Sequence, residues 1–179
     1  MTFRDEYLER LLPWSDVQYC MPRMHDTAAS YPGVAILELG VRSGFSTSAF
    51  LAAAEKAGGH LWSIDINDPE VPAHWLASPL WTFIKGDDVA VPLPVDSVDV
   101  LFIDTIHTYS HTLAELHRFV PMVKPGGTVL LHDTVYSMQG EEGYPVARAL
   151  DTFCTETGRK WVEHGGGEFG FGEIERPNG

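Results

Sequence analysis

Val34-Ala35-Ile36-Leu37-Glu38-Leu39 runs directly into Gly40-Val41-Arg42-Ser43-Gly44-Phe45-Ser46, and this stretch decides the fold. The aliphatic run reads as a buried strand that Gly40 ends. Gly40 and Gly44 allow a tight turn and leave no Cβ in the way of an approaching ligand. Ser46 to Lys56 then carries Phe50, Leu51 and Ala54 at helical spacing, and Gly58-Gly59 stops it. The start of such a helix presents free N–H groups that favour a carboxylate or a phosphate. Glu38, two residues before the first glycine, is placed to accept from a cationic amino-acid head group. A nicotinamide-binding turn would read G-x-G-x-x-G, and this one does not.

Outward from this unit, strands and helices keep alternating. Leu61 to Ile66 and Trp81 to Lys85 read as the second and third strands. Val98 to Ile103 is the fourth, followed by a helix with Leu113, Leu116, Val120 and Val123 on one face. Lys124-Pro125-Gly126-Gly127 breaks that helix, and Thr128 to His132 is the fifth strand. A helix over Pro145 to Glu156 and a Gly-rich antiparallel pair from Trp161 to Ile174 close the chain. The alternation predicts an α/β fold: a mostly parallel sheet with helices on both faces. Ligands of such sheets sit beyond the carboxyl ends of the strands. Asp65 ends the second strand, where a carboxylate grips a ribose through its hydroxyls. Asp87 and Asp88 follow the third, where a carboxylate suits an adenine amino group. A solvated turn aspartate would satisfy either position singly; three acids at successive strand ends favour a nucleoside ligand.

The ordered set E-L-G-x-x-x-G-x-S, S-I-D, K-G-D and K-P-G-G resembles the class I methyltransferases that use S-adenosyl-L-methionine (SAM). The resemblance spans about residues 34 to 175. It implies a Rossmann-like sheet of seven strands whose last strand is antiparallel. It also implies that Glu38, Gly40, Gly44 and Ser46 border the methionine part of SAM, that Asp65 binds ribose, and that Asp87 or Asp88 contacts adenine.

The later strands carry the reactive groups. Asp104 and Asp133 end the fourth and fifth strands, whose neighbours in a sheet lie ~4.8 Å apart, so the two acids converge. Carboxylates that close repel unless a proton or a cation lies between them. Oxygen ligands suit Mg²⁺ or Mn²⁺, and His107 is placed to accept a hydroxyl proton. Asp104 borders the cofactor as well. Phe102-Ile103-Asp104-Thr105-Ile106-His107-Thr108-Tyr109 and Leu131-His132-Asp133-Thr134 are similar to runs in the metal-dependent O-methyltransferases of macrolide sugars and the cephalosporin hydroxylase-like proteins. By that resemblance Asp104 and Asp133 are metal ligands and His107 the base. Thr105 and Ile106 stand where those runs have Gly and Asp, so one acid is missing. His132 is the other candidate base. His111, at i+4 from His107, is expected to point to solvent, and Trp14, Trp62, Trp75, Trp81 and Trp161 are expected in the core.

Composition narrows the classes. The 179 residues, 44% apolar and 21% charged, suit one packed domain over 1–179, with residues 1–30 forming a helical segment over the cleft. A net charge of −13 repels a phosphate backbone, so nucleic acid is not an expected partner. The sequence shows no signal-peptide pattern and no apolar run near the ~20 residues of a membrane span. Cys20 and Cys154 form no CxxC pair and are expected to be reduced thiols in a cytoplasmic protein. The expected function is metal-assisted O-methylation of a small hydroxylated acceptor. The alternatives are a metal-independent methyltransferase and a non-catalytic SAM-binding accessory protein; homo-oligomerisation stays open. Asp65→Ala should weaken SAM binding by ~1–3 kcal/mol in calorimetric titration, since a charged partner of the ribose is lost, and NAD should give no heat.

Overall fold

The computed structural model describes residues 2–165 and 167–174. The expected extent of 1–179 therefore includes positions outside the described residues. Seven strands form one sheet: β1 (Ala35–Leu39), β2 (His60–Asp65), β3 (Trp81–Lys85), β4 (Val98–Ile103), β5 (Val123–His132), β6 (Trp161–Glu163) and β7 (Phe171–Ile174). Their order is β3-β2-β1-β4-β5-β7-β6, with β7 antiparallel to both neighbours and the first five strands parallel. This is the Rossmann-like sheet expected from the alternation.

Strand alternation divides the apolar residues into two cores. Ile36, Val100, Phe102 and Leu130 face helices α1 (Phe3–Arg10), α2 (Met21–Ala29) and α3 (Phe45–Ala57). Leu37, Leu39, Leu101 and Leu131 face α5 (Tyr109–Phe119) and α6 (Pro145–Thr157), across the sheet from a short α4 (Ala73–Leu76) beside β3. Every residue of α3 from Ser46 to Ala54 is buried. A helix enclosed on all sides needs small residues where its neighbours press closest, and the alanines here fill that need, with the sheet beneath and α1 and α2 above. Thr2 and Asp5 cap α1 reciprocally, a capping box that fixes where that helix begins.

Two expectations change in detail. Val120 and Val123 do not extend α5, because the helix gives way to a 3₁₀ turn over Val120–Met122 and β5 already begins at Val123. Pro121 accounts for the change, since its missing N–H and its ring interrupt an α-helical turn. Trp14 is 72% exposed, outside the core; Trp75 is fully buried and Trp81 nearly so. Cys20 and Cys154 are buried free thiols. Among the described residues no helix is long and apolar enough to cross a membrane.

The helix following β1 packs on one face of the sheet and the helix following β4 on the other. Their loops diverge, and the sheet opens a crevice at that switch point. Gly40 sits at its base, with φ +90°, donating its N–H to the Ile64 carbonyl at 2.8 Å. A Cβ there would lie 1.9 Å from the Asp104 carbonyl oxygen. Gly58, with φ +71° at the end of α3, has nothing within 4 Å of such an atom. Gly40→Ala should therefore cost at least about 3 kcal/mol in urea unfolding, while Gly58→Ala costs only about 1–2 kcal/mol, the left-handed backbone penalty alone.

Candidate active site

A cleft of about 640 Å³ opens at the carboxyl edge of the sheet, within the range of small-molecule sites. Its lining includes Gly40 and Ser46 from the first turn, Asp65 from β2, Asp87 and Asp88 after β3, and Asp104 and His107 after β4. Asp16 and Val17, from the segment between α1 and α2, also line it, so part of the N-terminal thirty residues borders the cleft. The structure thus brings most of the expected cofactor residues around one space.

Two of them stand back from it. Glu38 is fully buried and its carboxylate accepts from Ser46 Oγ at 2.6 Å, Ser63 Oγ at 2.6 Å and Thr47 Oγ1 at 2.9 Å. Its place is behind the cleft wall, tying α3 to β1 and β2, because the even-numbered side chains of β1 face α3. Gly44 is the N-cap of α3, with φ +74°, where a side chain would strike Val71 and Trp75. Asp65 accepts from the N–H groups of Val41 (2.8 Å), Arg42 (3.1 Å) and Asn67 (2.8 Å), so it shapes the first turn from within the cleft. Arg10 reaches the same turn, donating to the Ser43 carbonyl at 2.8 Å.

Asp104, His107 and Asp133 converge, with one donor atom from each within 4.8 Å of the others. His107 Nε2 lies 3.2 Å from Asp104 Oδ1 and 2.9 Å from Asp133 Oδ2. His132 Nδ1 lies 2.9 Å from the same Asp133 oxygen and 3.8 Å from Asp104 Oδ1. Two carboxylates thus alternate with two imidazoles. Burial works against charge on all four, and their mutual hydrogen bonds outweigh it. They pull Asp104 and Asp133 below the usual carboxylate range and push His107 up to about 9 and His132 higher still. His107 (φ +54°) and Asp133 (φ +60°) both hold left-handed backbone conformations, as does Arg42 (φ +49°). All three lie at this edge.

The donor chemistry fits a divalent ion: two carboxylate oxygens from adjacent strand ends, with an imidazole nitrogen beside them, suit Mn²⁺ or Mg²⁺. Ile106, where the resembling runs carry an acid, is 55% exposed and contributes no donor.

His111 departs from expectation. Its Nε2 lies 3.0 Å from buried Asp88 and 3.7 Å from Glu115, so the first turn of α5 faces the cleft rather than solvent. Burial first, and Asp88 next, hold the Glu115 carboxyl well above its ordinary range. The i, i+4 spacing of His111 and Glu115 was the available signal for this pair. Tyr136 and Phe169 carried none. The Tyr136 ring stands edge-on to His107 at 5.7 Å, and Phe169 flanks both Tyr136 (5.9 Å) and His132 (6.1 Å).

Residues 37–134, more than half of the chain, match the family model described as "Methyltransferase domain". No curated protein sequence matches the chain. Among solved structures, the O-methyltransferase NovP is similar over 88% of this chain and 80% of its own, at 17% identity and a TM-score of 0.66. A Staphylococcus aureus protein assigned as a caffeoyl-CoA O-methyltransferase is similar over 96% and 90%, at 17% identity and 0.65. CalS11, a TDP-rhamnose 3'-O-methyltransferase of calicheamicin biosynthesis, is similar over 89% and 78%, at 15% identity and 0.65. At these identities the likeness is one of fold.

Burial, opposed by the three hydroxyl donors, raises Glu38 from 4.5 to about 7. Between those values the folded chain keeps a proton that the unfolded chain has released, so this group's contribution to stability falls as pH rises through the window. Urea midpoints of wild type and Glu38→Gln should therefore diverge from pH 5 to 7. The wild type should lose on the order of 2–3 kcal/mol relative to the variant, and parallel curves would show that Glu38 stays ionised throughout.

Proposed function

The chain belongs to this methyltransferase-domain family and is a class I SAM-dependent methyltransferase, and from that premise we propose that it methylates the hydroxyl oxygen of a small acceptor with the help of a divalent ion. The observation that carries the reading is the convergence of Asp104, His107 and Asp133 beside the cleft. In this reading Gly40 and Ser46 border the methionine part of the cofactor, with Gly44 and Glu38 fixing their turn. Asp65 holds the ribose, and Asp87 or Asp88 meets the adenine.

When bound, SAM supplies an electrophilic methyl carbon, to which the acceptor oxygen bonds as the C–S bond breaks and leaves its electron pair on sulfur. The cleft walls hold donor and acceptor in line. His107 takes the proton released by the hydroxyl. Its Nε2 lies between the two carboxylates, which leaves Nδ1 as the nitrogen available to that proton. Asp104 and Asp133 would hold the ion, whose chemistry is to lower the hydroxyl pKa and orient the oxygen.

A second, metal-independent reading draws on one specific observation. His132 Nδ1 already lies 2.9 Å from Asp133 Oδ2 and 3.8 Å from Asp104 Oδ1, so an imidazolium there supplies the positive charge that the pair requires and leaves His107 to act as the base. His107→Ala should lower kcat by ~10²–10⁴-fold in either case while SAM affinity holds. EDTA separates the two. Activity lost on chelation and restored by Mg²⁺ or Mn²⁺, with no restoration in Asp133→Ala, supports the ion; undiminished turnover of stripped protein rules it out.

A further inference from the structure

Among the described residues, each lysine and arginine that reaches the carboxyl edge of the sheet already has a partner there. Arg42 is the one Lys or Arg among the cleft-lining residues, and its Nη1 is held by Asp16 at 3.0 Å. Lys85, at the end of β3, is held by Asp68 at 2.6 Å. Arg10 is turned inward, with its guanidinium over Phe45 and Trp75 and its donor on Ser43. Arg148 donates to the Glu142 carbonyl and lies over Tyr109. The cleft lining adds negative charge instead, with Glu70, Asp87, Asp88 and Asp104 beside Asp16, the partner of Arg42. Diphosphates and coenzyme A phosphates are recognised by free guanidinium and ammonium groups, and among the described residues none stands unpaired at this edge.

What this edge does offer is aromatic surface. Tyr136 is 37% exposed, and its ring stands beside His107. A flat ring laid along Tyr136 and Phe169 gains offset or edge contacts and brings a ring hydroxyl to the imidazole.

We propose, resting on the methyl-transfer reading above, that the acceptor is an uncharged aromatic hydroxyl compound and not a nucleotide-linked or coenzyme A-linked one. The acceptor classes printed for CalS11 and for the Staphylococcus aureus protein therefore do not carry over, although the fold does.

Matched acceptors test this: a hydroxycinnamate methyl ester against its coenzyme A thioester, and a free phenol against a nucleotide-linked deoxysugar, all assayed with SAM and Mg²⁺. At low salt the uncharged aromatic member should show kcat/KM at least about tenfold higher, because the acidic rim repels the anion. Salt should narrow the ratio as it screens that repulsion, and so should Asp16→Asn, which leaves Arg42 unpaired. A thioester or nucleotide sugar used as well as its partner, or a ratio indifferent to both salt and Asp16→Asn, overturns the proposal. If folded protein binds SAM yet methylates none of the aromatic compounds, the aromatic assignment is wrong while the methyl-transfer reading stands. Failure to bind SAM would sink that reading itself.

Discussion

The contact between Gly40 and the backbone of Asp104 is the constraint on which the rest of the site depends. At this point the ends of β1 and β4 lie closer than any side chain permits. Asp104 donates its N–H to the Leu39 carbonyl at 2.9 Å while Gly40 donates to Ile64, so three adjacent strand ends are locked together. The first turn and the reactive acid thereby share one corner. In the proposed reading a donor along the turn and an acceptor over Asp104 would meet there, and the distance between the turn and Asp104 is set by backbone rather than by mobile side chains.

Charge is arranged around that corner in two ways. Behind the wall, Glu38 is enclosed by hydroxyls, and burial favours its neutral form. At the reactive end, Asp104 and Asp133 remain anionic because two imidazoles lie against them. Buried charges persist only when paired and hydrogen-bonded, and here each member of the network is the partner of the next. The coupling makes His107 hard to deprotonate while both carboxylates are bare. Anything that neutralises those carboxylates also frees the imidazole to accept a proton.

Most of the architecture was legible because it is carried by local patterns. The Val34 to Gly40 run, the glycines closing α3 and the acids ending β2 to β5 each follow from periodicity or backbone freedom within a few residues. Asp104 and Asp133 could be paired in advance because parallel neighbours have a known spacing. Glu38 could be located but not oriented: its position before Gly40 suggested the ligand, whereas the pleat turns it toward Ser46 and Ser63. His111 looked like a surface residue because its partner Asp88 belongs to a distant loop. Tyr136 and Phe169 were invisible for a related reason, since irregular segments meet only once the sheet is assembled.

The left-handed backbones of Arg42, His107 and Asp133 carry a consequence for how this protein can change. L-residues with side chains disfavour that conformation by roughly 1–2 kcal/mol each, a penalty that glycine escapes. The chain nevertheless keeps an imidazole and a carboxylate at two of these positions. Relief of backbone strain and retention of the buried charge network therefore pull in opposite directions at those two residues. A selection for heat resistance alone would reach glycine at exposed Arg42 first, because at His107 or Asp133 the same change strips a buried group of its charged partner.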